Sequence, residues 1–326
     1  MSVEQEIKAY ALDHLDVDMI GIAGIDRFKD SMPGRHPCDI LPGAQSVIVF
    51  GVGLLDGAVQ ANFRFFEEGK AGVHGIYGTY GYTNAPNFHL MWSTYFLSRY
   101  IEKHYRTTAA PMPPGPLMNG APLSMRHAAV AAGLGEFGWN AVVLTPEFGP
   151  RNRFGAIITQ LALEPDPMYA GPRLCDPGKC QICVTKCPTG AISRYTGKDC
   201  ARIVDMEGKH FEYSYLNWNR CRVACHQLST KVGGPEDLVS SLDPSAEEVE
   251  AAVKKLVPND AGLQHAPSWK CGVCITYCPA GRWRERYYDN GLTKGKHLFE
   301  GNQPNNINDK DGDYGLSFAA SEPDKK

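Results

Sequence analysis

No stretch of this chain approaches the roughly 18 consecutive apolar residues that a membrane helix requires. The longest mainly apolar run, Ser46 to Leu55, is far shorter, which argues against a helical membrane span. A basic excess is also missing. The 33 Lys and Arg face 36 Asp and Glu, a formal charge of -3, which speaks against a protein that tracks nucleic-acid phosphates. The opening MSVEQEIKAYALDHLD carries no basic n-region, twin arginine or apolar h-region, so a cytoplasmic location is expected. Cysteine is nearly absent from the first half, where only Cys38 precedes residue 175. What the chain does have is 326 residues, 43% hydrophobic and 21% charged. That is too apolar for a disordered chain and long enough for about two domains.

The pattern predicts alternating helices and strands over residues 1–165. Ile7, Tyr10, Ala11 and Leu15 share a helical face, and residues 1–30 read as helix throughout. Ser46 to Phe50 reads as a buried strand. The Gly- and Tyr-dense stretch 72–82 reads as an irregular loop, and 87–105 as a helix with Leu90, Tyr95, Leu97 and Ile101 facing inward. Helix over 124–132 and strands over 141–144 and 154–163 follow. Beyond Cys175 the chain becomes Cys-rich, interrupted by a polar, helical-looking insertion at 235–257. After Tyr288 it turns to Gly, Asn, Asp and Lys.

Ten of the eleven cysteines follow residue 174. Crowded thiols behind no export signal point to metal binding rather than disulfides. The spacing is Cys175-x4-Cys180-x2-Cys183-x3-Cys187-Pro188, then Cys271-x2-Cys274-x3-Cys278-Pro279. Two-cluster ferredoxins use C-x2-C-x2-C-x3-C-P, the last cysteine crossing to the other cluster. The matching assignment is Cys175, Cys180, Cys183 and Cys278 for one [4Fe-4S] cluster. Cys187, Cys221, Cys271 and Cys274 would hold the other, with Cys225 the alternative to Cys221. Two structural zinc sites also use four thiolates each, but the doubled C-x3-C-P ending favours iron–sulfur. Cys38 and Cys200 are left as free, buried thiols. The x4 gap after Cys175 lengthens one loop and keeps the ligand count.

Gly133-Leu134-Gly135-Glu136-Phe137-Gly138 satisfies G-x-G-x-x-G. A dinucleotide site needs a strand before the glycines and a helix after them. Here the order is reversed, so a tight helix-to-strand turn or a close approach to a flat ligand remains.

The run LSMRHAAVAAGLGEFGWNAVVLTPEFGPRNRFGAIITQLALEPDP, followed by CDPGKCQICVTKCPTGAIS and preceded by LPGAQSVIVFGVGL, resembles the cobalamin-dependent reductive dehalogenases and their relatives, the epoxyqueuosine reductases. The resemblance implies an α/β (α+β) fold. A nitroreductase-like cobalamin-binding, catalytic domain would occupy 1–170 and a two-[4Fe-4S] ferredoxin-like domain 171–288, with a polar tail at 289–326. It implies base-off cobalamin, and the chain lacks the D-x-H-x-x-G that would supply a histidine. Corrin contacts would come from Met118, Asn119, Met125, Gly133, Leu134, Gly135, Phe137, Gly138, Trp139, Asn140 and Thr145. Trp139 stands where relatives often carry a basic residue.

The same resemblance suggests Arg153 for the developing charge, with Arg151 its competitor. It suggests Asn119 as a polar active-site residue and Tyr82, or Tyr80, as proton donor. An apolar pocket would draw on Tyr77, Tyr80, Tyr82, Phe88, Trp92 and Trp139. The implied activity is reductive cleavage of a carbon–halogen bond in a small organohalide. Electrons would come from a ferredoxin or flavodoxin-type donor, nucleic acid is not an expected partner, and a homodimer is compatible. The alternatives are an epoxyqueuosine reductase acting on tRNA, and an electron-transfer protein without cobalamin. Asn119-Gly120-Ala121-Pro122 replaces the D-[ST]-A-P of epoxyqueuosine reductases, and asparagine is no general acid.

Overall fold

The computed structural model describes residues 1–68, 75–114, 122–197, 200–256 and 271–281. In chain order the first half runs α1 (Val3–His14), β1 (Met19–Gly24), β2 (Ser46–Gly53), α2 (Asp56–Glu68), α3 (Asn84–Tyr105) and β3 (Ala109–Met112). It continues through α4 (Met125–Ala131), β4 (Glu136–Phe137), β5 (Val143–Leu144) and β6 (Asn152–Thr159). The cysteine half holds α5 (Ile182–Thr185), β7 (Ala201–Met206), β8 (Lys209–Ser214), α6 (Trp218–Cys225), α7 (Ala246–Leu256) and α8 (Val273–Thr276).

The main sheet has the order β1-β2-β6-β3, and every pair is antiparallel. Both faces are buried, which is why β2 reads as a near-continuous apolar run. Ile22, Ile48, Phe50 and Ile157 pack on α1 and α3 through Ile7, Ala11, Leu90, Leu97 and Ile101. Ala23, Val47, Val49, Ala156 and Ile158 pack on the alanines of α4. The result is helices on both sides of one sheet. Short β3 sits at the edge, where Pro111 costs no interior ladder bond.

Residues 1–30 are not one helix. Ser2 and Gln5 close a capping box at the start of α1, and the helix stops at His14. Asp16 then takes φ 50°, and Met19–Gly24 pairs with β2 from Met19↔Gly51 to Gly24↔Ser46. Long-range pairing outweighs local helical periodicity here. Tyr95 does not face inward. The buried row of α3 is Leu90, Thr94, Leu97 and Ile101, while Tyr95 is 44% exposed beside Trp92 and Phe96. The described part of the Gly/Tyr stretch is a π-helical turn, Tyr77–Tyr82, rather than an irregular loop.

The glycine motif forms the turn from α4 into the β4–β5 hairpin. Gly133 takes φ 77°, and a Cβ there would lie 2.2 Å from the Pro167 carbonyl oxygen. At Gly135 a Cβ would meet the Leu144 carbonyl at 2.0 Å. Protein backbone therefore requires these glycines.

In the cysteine half, β7 and β8 form a hairpin that the sequence reading passes over. Glu207 (φ 48°) and Gly208 (φ 77°) make its two-residue turn. The insertion at 235–257 is helical only over α7. Met206 and Tyr213 of the hairpin join Phe28, Ala128 and Phe137 in one core, and Arg27 pairs with Glu207 at 2.7 Å. The polar tail 289–326 lies outside the described residues.

His127 sits in that shared core, 2.6 Å from Ser124 Oγ and against the rings of Phe137 and Tyr213. Burial, aided by the Arg126 charge, pushes its pKa down from 6.5 to about 4. The unfolded chain takes up this proton first, so stability falls as pH drops from about 6.5 toward 4. The loss should be on the order of 3 kcal/mol. Urea unfolding at pH 7 and pH 4.5 should show a shallower pH dependence for His127→Phe; identical slopes would assign the loss to other groups.

Candidate active site

Two sets of thiols emerge from the fold. Cys183 is acted on by Cys278, Cys175 and Cys180, and each neighbour raises its pKa further above what burial does. Cys175 is pushed up to about 12, chiefly by burial, with Cys278 and Cys180 adding to it. In the second set Cys271 feels Cys225, Cys274 and Cys187. Cys221 has its Sγ 3.8 Å from Cys225 Sγ and is raised first by that contact, then by burial. Burial pushes the Cys274 pKa well up, and thiols of both sets, Cys183 and Cys278 as well as Cys187 and Cys225, add to it.

Both Cys221 and Cys225 stand at the second set, where the spacing left the choice between them open. Buried, mutually repelling thiols resist ionisation on their own; a cationic centre is what makes such a set into thiolate ligands. Backbone N–H groups already point at two of them, Trp139 to Cys175 Sγ at 3.2 Å and Ala191 to Cys187 Sγ at 3.3 Å. Among the described residues no three His, Cys, Asp or Glu side chains converge on a single-ion site. Cys38 and Cys200 instead make local contacts, to the Ala44 and Gly197 carbonyls.

Side chains of the first half hold the cysteine loops in place. Arg151, 1% exposed, donates to the carbonyls of Thr276 and Ala280 at 3.2 Å each and to that of Cys278. Its charge also opposes the burial that raises the Cys278 pKa. Buried Asn62 donates to the Cys271 carbonyl at 3.0 Å and to Thr276 Oγ1 at 2.8 Å. Asn140 Nδ2 donates to the Cys274 carbonyl at 3.0 Å, and Glu136 accepts from the Leu174 and Cys175 amides.

Between the halves lies a cavity of about 420 Å³. One wall is Met125, Arg126, Ala141 to Val143 and the start of β6. The other is formed by Cys187, Cys221, Cys225 and the Cys271 to Ile275 segment. Arg153 and Tyr82 meet in it. The Arg153 guanidinium stands 4.7 Å from the Tyr82 ring centroid. It is held by Asn87 Oδ1, which accepts from Nε at 3.1 Å and Nη2 at 2.8 Å. Burial raises the Tyr82 pKa to about 12, and Arg153 works against that rise.

The structure thus separates the two arginines: Arg153 faces the cavity, and Arg151 is a buried clamp. A second cavity cation, Arg126, carries no role in the sequence reading although it lies inside the resembling run. It stacks over Tyr213 and Trp218 and donates to the Ala141 carbonyl.

Of the expected contact residues, Met125 and Asn140 line the cavity, whereas Gly133, Leu134, Gly135, Phe137, Gly138, Trp139 and Thr145 do not. Trp139 is buried with its indole on the Ser193 carbonyl at 2.8 Å. Thr145 Oγ1 accepts from the Phe148 amide at 3.2 Å. Of the six aromatics expected to line a pocket, only Tyr82 does so. Tyr80, Phe88 and Trp92 are exposed, while Tyr77 and Trp139 are core. Met118 and Asn119 lie outside the described residues.

No protein-family model matches the chain. Over 98 residues, 28% of the chain, it is 39% identical to the tetrachloroethene reductive dehalogenases of Dehalobacter restrictus and Desulfitobacterium hafniense, a stretch that is 17% of those proteins. Over 144 residues, 42% of the chain, it is 40% identical to the epoxyqueuosine reductase of Staphylococcus aureus, covering 36% of that protein. A solved epoxyqueuosine reductase from Bacillus subtilis superposes with TM-score 0.49 at 19% identity, covering 84% of this chain and 79% of that one. A reductive dehalogenase structure gives 0.36 at 23%, covering 52% and 21%. The sequence matches therefore span only a minor part of the curated relatives.

Fold and site together define an α/β protein whose cysteine-rich half closes over a cavity. Its sequence relatives, named reductive dehalogenase and epoxyqueuosine reductase, support the superfamily that these two share. Relatives named epoxyqueuosine reductase match beside the dehalogenases, so the expectation that nucleic acid is no partner finds no support in the relatives. Among the described residues no helix is long and apolar enough to cross a membrane.

Arg151→Leu should unmoor the Cys278 loop. Three backbone carbonyls would lose a charged donor, costing on the order of 3 kcal/mol. Thermal unfolding checks the loss, which should exceed that of Arg153→Leu; equal losses would contradict the clamp.

Proposed function

We propose that the protein is a cobalamin-dependent reductive dehalogenase fed with electrons through two [4Fe-4S] clusters. One observation carries the reading: Arg153 and Tyr82 face the second cysteine set across a single cavity. In this reading residues 1–170 form the nitroreductase-like cobalamin domain and 171–288 the ferredoxin-like one. Cys175, Cys180, Cys183 and Cys278 hold one cluster, and Cys187, Cys221, Cys271 and Cys274 hold the other. Base-off cobalamin, contacted by Met125 and Asn140, supplies low-valent cobalt chemistry when bound. The electron donor is a ferredoxin or flavodoxin-type protein, and the location is cytoplasmic.

The chain's own groups supply the rest. A phenol with its pKa near 12 stays protonated at physiological pH, so Tyr82 holds a proton at Oη for a carbon that becomes strongly basic. Arg153 keeps a fixed positive charge beside it, oriented by Asn87, for the departing halide. Met125, Ala141, Val142, Val143 and Phe154 make that wall largely apolar, which excludes water and suits an apolar organohalide.

A second reading, epoxyqueuosine reduction in tRNA, is favoured by the longer matched stretch to the Staphylococcus aureus enzyme. Against it stands Asn119, where that chemistry uses a carboxylic acid.

Anaerobically reconstituted protein should hold about eight iron and eight sulfide per chain, as two cubanes require. Elemental analysis checks this, and stoichiometric zinc with little iron would end the reading. With cobalamin and a strong reductant, halide release from an aryl or alkyl halide should be measurable by ion chromatography. Arg153→Ala should slow it on the order of 10²-fold with both clusters intact, and Tyr82→Phe should slow it while cobalamin still binds. No halide release, together with reduction of epoxyqueuosine in tRNA, would select the second reading.

A further inference from the structure

The side chain of Tyr77 is fully buried, and its hydroxyl has no hydrogen-bond partner among the described residues. Its place explains neither fact as packing alone. The residue opens the π-helical turn Tyr77–Tyr82, and its ring packs among Leu54, Val59 and Ile275, against Cys274. The hydroxyl end lies over Gly272, the residue following Cys271. A Cβ on Gly272 would stand 2.2 Å from the phenol oxygen, and Gly272 takes φ 60°. Glycine at this position is what lets the phenol rest on the loop that presents Cys271 and Cys274.

Interior polar groups are nearly always paired. An orphaned phenol on a thiolate-bearing loop indicates an acceptor that arrives with the metal centre. A phenol carries one O–H hydrogen to give. It is thus a donor.

We propose that Tyr77 donates its hydroxyl hydrogen to a sulfur of the second cluster, a ligand Sγ or a cluster sulfide, and thereby tunes that cluster's potential. The inference rests on the two-cluster reading above. A hydrogen bond to sulfur stabilises the more negative, reduced cluster and so raises its reduction potential. Tyr82 stacks next to Tyr77 with centroids 5.7 Å apart and carries Arg153 over its other side. Tyr77 therefore stands behind the cavity, against the loop of the second cysteine set.

The test is a redox titration of the loaded protein, monitored by electron paramagnetic resonance, on wild type and Tyr77→Phe. The second cluster is identified as the signal that Cys271→Ser perturbs. Tyr77→Phe should retain full iron and sulfide, lower the potential of the second cluster and leave the first unchanged. Cluster-free Tyr77→Phe should be no less stable to heat than cluster-free wild type, because the hydroxyl it loses is unpaired there. Unchanged potentials in a fully loaded variant overturn the proposal while leaving the two-cluster reading intact. Equal shifts in both clusters also overturn it, as a packing change. Wild type that takes up no clusters overturns both.

Discussion

The structure depends on a small number of buried polar side chains that reach from the sheet half into the cysteine loops. Loops that present thiols have little regular structure to satisfy their carbonyls. Arg151, Asn62 and Asn140 supply the missing donors at Cys278, Thr276, Ala280, Cys271 and Cys274. They add to the direct packing of Ile182 on Val273 and Tyr277, which joins two cysteine segments separated by more than eighty residues. Burying an arginine is costly unless its donors are used, and here the carbonyls it meets are those that would otherwise be orphaned.

That arrangement also places the cavity. Arg151 lies just before β6 and Arg153 within it, and the two serve different tasks. One clamps the cysteine loop; the other faces the cavity beside Tyr82. The two halves are not beads on a string, because the β7–β8 hairpin sends Met206 and Tyr213 into the core of the first half. In the reading proposed above, this continuity holds the electron-carrying groups at a fixed distance from the reacting centre.

Much of this was open to inspection before any coordinates. The doubled C-x3-C-P ending is a matter of short-range spacing, so it can be read from the sequence. Strand β2 was visible because a strand buried on both faces must be apolar throughout. Less visible were features decided by partners far away in sequence. Met19–Gly24 becomes a strand because β2 offers it an edge, and Tyr95 points outward because the row that meets the sheet is one residue out of step with it. The Glu207-Gly208 turn was a hairpin signal in plain view, flanked by alternating residues.

By itself, the sequence determined the sheet's central strand and the likeness to the two reductase families, since each rests on local patterning or on matched residue runs. Tertiary structure alone decided between Arg151 and Arg153, because both lie in the same PRNR and only the fold brings Arg151 to the Cys278 loop and Arg153 to the cavity. It also decided what the glycines of 133–138 are for. Close approach was written in the residue type, but only packing shows that the approaching group is the carbonyl of Pro167 or Leu144.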